Sequence, residues 1–360
     1  MKTTDKRLLA LLRTAAMGSS PPCEIFENMT EDDWRTLYQL AVHGGVVAVA
    51  YDGILRLPSS LMPPRKLRLA WAATVEHIEQ KYAHAWSVAA DLAGRFGEHG
   101  IRMLVMKGLS LSQYYPAPSR REFGDIDIYL FGEKEQGDKL LRLWGAKENR
   151  SSDKHSSFVW RGLLIENHAC FLTMNGSALN RDLNDRLKKT VEADHGFSRA
   201  GQPLFPSVDF TTLFFMAHAV NHYVSGHLVW RYFCDWAMIL RRLDGKWNMQ
   251  AYEEALGHTG FRSFADAVTA VTVNEWGLPS GITLAFERQP ELEAQLRKER
   301  LLLKTPIDKD MPVLRLVIFK YRRFMARRWK YRLIGGSFRW RIMQSVRYHL
   351  RYPQSILWRK

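Results

Sequence analysis

Three acidic side chains define the chemistry open to this chain. Asp125 and Asp127 stand two apart in DIDIYLF, and Glu166 follows in LLIENHACF. Polar and apolar residues alternate in DIDIYLF, the period of a strand, so Asp125 and Asp127 share one face while Ile126 and Ile128 take the other. Two carboxylates forced together repel unless a cation lies between them. Hard oxygen donors suit Mg2+, whose octahedral shell a substrate's phosphates help to complete. A third carboxylate on a neighbouring strand would let two ions sit ~3.5 to 4 Å apart and clamp the attacking and leaving oxygens of an in-line displacement. Glu166 is the candidate third ligand, and Mn2+ is an alternative to Mg2+. A lone D-x-D is also common at solvated strand ends, so its surroundings decide.

Those surroundings have the parts of a phosphate and metal site. The apolar run IRMLVM reads as a buried strand bounded by Lys107-Gly108, and a short helix is predicted from Ser110 to Tyr115, ended by Pro116 and Pro118. A loop carrying Arg120 and Arg121 leads into the D-x-D strand. An amphipathic helix is predicted over Glu133 to Trp144, and SSFVW and LLIENHACF flank Arg161-Gly162 as a β-hairpin would. His168, two residues beyond Glu166, shares its face.

After Pro206 the apolar spacing becomes helical, with two helices parted near Ser225-Gly226. His218 and His222 are one helical turn apart, a spacing that can hold zinc, but no third ligand has convincing spacing. They read as hydrogen-bonded histidines near the cleft that orient nucleotide or acceptor. Arg231 and Asp235, also one turn apart, suit an intrahelical ion pair worth a few tenths of a kcal/mol. Residues 1–99 read as an N-terminal helical region, 100–205 as the catalytic core, 206–310 as a C-terminal helical domain and 311–360 as a basic aromatic tail. The fold class is α+β, a small mixed sheet flanked on both sides of the sequence by helices.

The 360 residues are 46% hydrophobic and 25% charged, a balance that excludes bulk disorder and allows a sizeable core. The net charge of +15 is not spread evenly. Fourteen of the 52 Lys and Arg, and none of the 37 Asp and Glu, lie between Met311 and Lys360, so the rest of the chain is close to neutral. That tail interleaves Arg with Trp, Tyr, Phe and Leu, a composition that suits an anionic membrane surface or another polyanion, or docking of its aromatics on the body. Cys23, Cys170 and Cys234 form no C-x-x-C pair, which argues against a disulfide framework and a structural zinc site and favours the cytoplasm. The opening MKTTDKRLLALLRTAAMG mimics a signal peptide, but LLALL is short and Arg13 interrupts the residues beyond it. No stretch approaches the ~18 apolar residues needed to span a bilayer.

The run MLVMKGLSLSQYYPAPSRREFGDIDIYL resembles the signature of the nucleotidyltransferase superfamily related to DNA polymerase beta. More narrowly, the chain resembles the bacterial family of uncharacterised nucleotidyltransferases: an apolar strand, Lys-Gly, a helix with Tyr, an Arg, then D-x-D. The likeness continues through IENH to H-x-x-x-H and Arg-aromatic-x-x-Asp, here His218, His222, Arg231, Tyr232 and Asp235. It spans roughly residues 34 to 242, and the ordered set is more specific than any single motif. The tail lies outside it.

The resemblance implies a polymerase beta-like core in which an acceptor hydroxyl attacks the α-phosphorus of an NTP and pyrophosphate leaves. It makes Asp125, Asp127 and Glu166 ligands of two Mg2+ ions. It makes Lys107, Gly108, Ser110, Arg121, His168, His218, His222, Arg231 and Asp235 the expected nucleotide-binding set, with Arg120 a further candidate for neutralising triphosphate charge. Where the superfamily has Gly-Ser or Gly-Gly, Leu109 separates Gly108 from Ser110 here, which weakens the case for Ser110 as a phosphate ligand. The family setting suggests surface polysaccharide biosynthesis, at the inner face of the membrane. Two other readings compete: a non-catalytic scaffold that binds membrane or nucleic acid through its tail, and a toxin-like or antibiotic-modifying nucleotidyltransferase. Three mutually repelling acids retained together speak against the scaffold.

Overall fold

The structure, a computed structural model, describes residues 3–151, 154–172, 178–193, 202–226, 228–243, 247–258, 260–278, 285–301, 310–334, 338–351 and 353. Four helices come first: α1 (Thr3–Met17), α2 (Glu31–Gly44), α3 (Val47–Ile54) and the long α4 (Arg65–Glu98). Local chemistry sets their ends. Thr30 and Asp33 form a reciprocal capping box at the start of α2, and Gly45, at φ 65°, closes it in the left-handed region.

The mixed segment comes next, as β1 (Leu104–Met106), α5 (Lys107–Ser112), β2 (Ile126–Tyr129), α6 (Lys134–Leu143), β3 (Lys147–Ser151), β4 (His155–Trp160) and β5 (Leu163–His168). The strands form one sheet in the order β1-β2-β5-β4-β3, in which β2 and β5 run parallel and the other neighbours antiparallel. Arg161 (φ 47°) and Gly162 (φ 80°) make the two-residue turn between β4 and β5, both in the left-handed region that matches strand twist. The α+β class with a small mixed sheet is therefore as the sequence predicts.

Details differ from the sequence reading. The short helix α5 begins at Lys107 rather than Ser110 and ends at Ser112, because Lys107 takes φ 50° and turns the chain from strand to helix without a linker. Asp125 immediately precedes β2 rather than lying in it. The edge strand β3, KENRS, is too polar for hydrophobic alternation to reveal, and such charge protects an exposed sheet edge.

Helices resume as α7 (Ala178–Ala193), α8 (Val208–Ser225), α9 (Trp230–Arg242), α10 (Met249–Gly257), α11 (Arg262–Trp276), α12 (Pro290–Glu299), α13 (Val313–Ala326) and α14 (Phe338–Arg351). Ser207 caps α8 by accepting from Phe210 N, and Gly226 at φ 80° ends it at the predicted break.

Two apolar clusters hold the molecule together. One packs Leu8, Leu11 and Leu12 of α1 with α2, α3, α8, α9 and α11 around the buried Trp71, Trp230, Trp236 and Trp276, so N-terminal and C-terminal helices share a core. The other seals one face of the sheet, with Ile126, Ile128, Phe158 and Ile165 against Val88, Leu92 and Phe96 of α4 and Leu141 of α6. The opposite face carries Asp127, Glu166 and His168, while Leu104, Met106 and Tyr129 on the same face join the first cluster. Among the described residues, no helix is long and apolar enough to cross a membrane.

Candidate active site

The parallel pairing of β2 with β5 places Asp127 directly across from Glu166, and alternation puts both on the face away from the α4 and α6 core. Asp125, at the entry to β2, joins them: one oxygen from each of the three carboxyl groups lies within 4.8 Å of the other two. Gly108 permits this approach. A Cβ there would sit 2.9 Å from Phe123 Cβ and 3.4 Å from the Asp125 carbonyl oxygen, so any larger residue would push α5 away from the segment that carries the acids.

The acids are not electrostatically equivalent. Lys107 Nζ donates to Asp127 Oδ1 at 2.5 Å, and His168 Nε2 lies 2.8 Å from the same oxygen. Burial opposes charge on Asp127, yet Lys107 and His168 outweigh it and hold the carboxyl well below its ordinary range. Asp125 is pushed up to about 6 by burial and by the negative charges of Asp127 and Glu166. Glu166 lies between two imidazoles, its Oε1 3.4 Å from His155 Nε2 and its Oε2 3.4 Å from His168 Nε2. Burial again opposes its charge, but the bond with His168 takes its pKa below the usual value. Burial works against the Lys107 ammonium too, but Asp127 more than compensates and raises its pKa.

Asp127 Oδ2 is buried with no hydrogen-bond partner among the described residues. A buried carboxylate oxygen needs a donor or a cation. Together with the converging oxygens of Asp125 and Glu166, it fits the donor set that a hard divalent cation requires.

The remaining predicted residues fall into three groups. Lys107, Ser110 and His218 line a narrow cleft between α5 and α8, floored by Phe210 and Phe214. Burial and the nearby Lys107 ammonium keep His218 well below the usual histidine range. His222 packs on His218 with ring centroids 4.4 Å apart and on Tyr232 at 5.3 Å. Both histidines therefore stand beside the cleft.

The arginines are held by other acids. Arg121 makes a bidentate pair with Asp235, Nε to Oδ1 at 2.9 Å and Nη2 to Oδ2 at 2.7 Å, and Tyr115 Oη donates to the same carboxylate at 2.7 Å. Asp235 is thus the partner of Arg121 rather than of Arg231, whose Nη1 instead reaches the Glu122 carbonyl at 3.4 Å. Arg121 engages both carboxylate oxygens at once, the bidentate geometry that makes such pairs strong. Arg120 bridges Asp52 and Glu79 at 3.1 and 3.0 Å, fastening its loop to α3 and α4.

Two residues close to the acids escaped the sequence reading. His155 stands opposite His168 in the hairpin register. Counting outward from the Arg161-Gly162 turn would have found it. Burial brings its pKa down to about 4. The amine of Lys154 is shifted below the ordinary lysine value by burial and by Lys107, with Asp127 and Glu166 opposing. No spacing rule marks Lys154, because it precedes the strand.

Comparison with curated proteins and with solved structures finds no match. Residues 30–276, more than half of the chain, match the family described as "Uncharacterised nucleotidyltransferase". That span contains the Lys107-Gly108 turn, the three acids, both α8 histidines and the Arg121–Asp235 pair. The chain belongs to this family of nucleotidyltransferases.

Proposed function

We propose that the protein transfers a nucleoside monophosphate from an NTP to an acceptor hydroxyl, using Asp125, Asp127 and Glu166 as the ligands of two Mg2+ ions, with Mn2+ able to replace them. The convergence of three carboxylates, one with a buried unpartnered oxygen, carries this reading. Divalent ions bound there would neutralise triphosphate charge and lower the pKa of the acceptor hydroxyl. The acceptor oxygen forms a bond to the α-phosphorus as the bond to the bridging oxygen breaks. Pyrophosphate leaves with that electron pair, and the hydroxyl proton passes to solvent.

The chain's own groups position these partners. Lys107 is near enough to Asp127 to move between carboxylate and phosphate. Gly108 and Ser110 shape the turn beside it, while His168 orients Asp127 and Glu166 by its two contacts. His218 is part of the cleft wall that meets nucleotide or acceptor, and His222 packs against it from the next turn of α8. Arg121, Arg231 and Asp235 support the nucleotide site from behind, through the buried pair and the contact with Glu122.

The acceptor belongs, on this reading, to surface polysaccharide biosynthesis at the inner face of a membrane, and residues 311–360 supply the contact with anionic lipid. Helix α13 exposes Val313, Leu314, Val317, Ile318 and Tyr321 along one side, with Arg315 and Arg322 also exposed. Helix α14 exposes Ile342, Met343, Val346 and Leu350, with Arg339 and Arg347 exposed. Apolar helix faces flanked by cations suit the boundary between headgroups and acyl chains.

Calorimetric titration of each NTP, with and without Mg2+, tests the reaction class against the Asp125→Ala/Asp127→Ala variant. Mg2+-dependent binding lost in the double variant supports the proposal. Absence of binding by folded wild type, or binding unchanged in the variant, would turn the reading toward a scaffold.

A further inference from the structure

The hairpin of β4 and β5 builds a second donor group that shares Glu166 with the carboxylate triad. Its two-residue turn fixes the register that sets His155 opposite His168, and Glu166 shares the face of His168. One donor atom from each of His155, Glu166 and His168 lies within 4.8 Å of the other two. The two imidazoles stand with centroids 5.1 Å apart and grip opposite oxygens of the carboxylate, each at 3.4 Å.

That separation distinguishes two uses of the group. It is long for an N–H···O hydrogen bond, which clusters near about 2.9 Å. It is close to the roughly 3.3 Å that separates neighbouring ligands around a tetrahedral ion with bonds to nitrogen and oxygen of about 2.0 to 2.1 Å, and because each imidazole faces a different Glu166 oxygen, both oxygens are offered to an ion. His168 Nε2, now 2.8 Å from Asp127 Oδ1, would exchange that contact for the bond to the ion. Side-chain exposure is 22% at His155 and 0% at His168, so an ion could enter from the His155 side and meet a buried wall behind. The donor set also differs in kind from the triad. Mg2+ takes oxygen ligands and keeps several waters, whereas imidazole suits Zn2+ and other transition-metal dications.

We infer that His155, Glu166 and His168 form a nitrogen-rich metal subsite that binds a transition-metal dication of the Zn2+ class, joined through Glu166 to the oxygen-only pair Asp125 and Asp127. The two halves of the site then prefer different ions. This rests on the proposed nucleotidyltransferase reading only for what the second ion serves; occupancy of the subsite needs no nucleotide.

The test uses full-length protein stripped with a chelator and titrated with ZnCl2 or MgCl2 in the absence of NTP, by calorimetry or competition with a chromophoric chelator. Co2+ substitution gives a second readout through the visible bands of a tetrahedral N/O site. Zn2+ is expected to bind far more tightly than Mg2+. His155→Gln and His168→Ala are each expected to weaken Zn2+ by about 10- to 100-fold and to remove the Co2+ bands. Asp125→Ala is expected to keep both. His155 is partly exposed, so His155→Gln remains informative if His168→Ala fails to fold. Zn2+ affinity unchanged in His155→Gln, or lost in Asp125→Ala but not in the histidine variant, overturns the inference. Loss of Mg2+-dependent NTP binding in wild type with Zn2+ binding intact would sink the nucleotidyltransferase reading and leave the subsite standing.

Discussion

Asp125 and Asp127 are two residues apart and share a face, yet their surroundings pull them in opposite directions. Asp127 has Lys107 and His168 for company, whereas Asp125 has burial and two negative neighbours, which lift it to about 6. An unfolded Asp loses its proton near pH 3.9, so the folded, metal-free protein binds the extra proton between about pH 4 and 6 and loses stability as pH rises through that window, by about 3 kcal/mol. Asp125→Asn should therefore raise the thermal midpoint of chelator-treated protein at about pH 7.5 by a few degrees. It should also abolish the upward shift that the proposed binding of Mg2+ with NTP is expected to give wild type. A midpoint that falls in the variant would contradict the account of Asp125. Asp127→Asn should act oppositely and lower the midpoint, because it leaves the Lys107 ammonium buried without its counter-charge. Alternation in DIDIYLF picks out Asp125 and Asp127 in the sequence, but Asp125 reaches the other two acids from the residue just before β2, a placement that alternation alone does not fix. Lys154 was not legible in the sequence, because its proximity depends on how the chain enters β4. The mutual grip of Arg121 and Asp235 escaped for a related reason: helical spacing ties Asp235 to Arg231, and only the folded chain brings in a residue 114 positions away.

At the scale of elements, the site depends on how closely α5 lies against the segment entering β2. Gly108→Ala would place a methyl 2.9 Å from Phe123 Cβ, and neither neighbour is the free end of a flexible side chain. The expected cost is about 1 to 3 kcal/mol of stability. Because the displaced segment carries Asp125, NTP binding should fall at least about tenfold as well, as a misplacement near 1 Å is enough for such losses. Nucleotide titration beside thermal unfolding checks both, and tight binding by a destabilised variant would show that the contact serves packing alone. The hairpin and the break between α8 and α9 could be read from Gly162 and Gly226, since the left-handed backbone at those two positions favours glycine. The start of α5 could not, because a lysine at φ 50° breaks the rule that reserves that region for glycine and asparagine. Such local strain tends to accumulate where function requires a side chain at a fixed place.

Across the whole molecule, charge and apolar exposure are gathered at one end of the sequence. The tail is docked as well as exposed: Lys330 is buried, donates to the Tyr223 carbonyl at 3.1 Å and pairs with Glu299, while Trp329 stands edge-on to Tyr223. Both uses foreseen for its composition are thus compatible, one face held by α8 and α12, the other open. Vesicles containing phosphatidylglycerol should sediment with the protein, and vesicles of phosphatidylcholine alone should not. Raising salt from about 0.05 to 0.5 M should release most of it, because the Debye length shrinks to a few ångströms. Leu314→Glu with Leu350→Glu should weaken the association while leaving NTP binding intact. Equal sedimentation with both vesicles, or none with either, would remove the membrane from the proposal. The core was harder to anticipate. Amphipathic spacing shows that a helix buries one side but not against which partner, and only the fold shows α1 closing a core with α3 and α11.

The Arg121–Asp235 pair has one further consequence, in inheritance. Losing either partner strands a buried charge, at about 3 to 5 kcal/mol, whereas replacing both with apolar residues of similar size can be neutral. Single changes at these two positions should be purged and double changes tolerated. Across a lineage, positions 121 and 235 should therefore alter together or stay fixed together, two distant letters of the sequence passed down as one character.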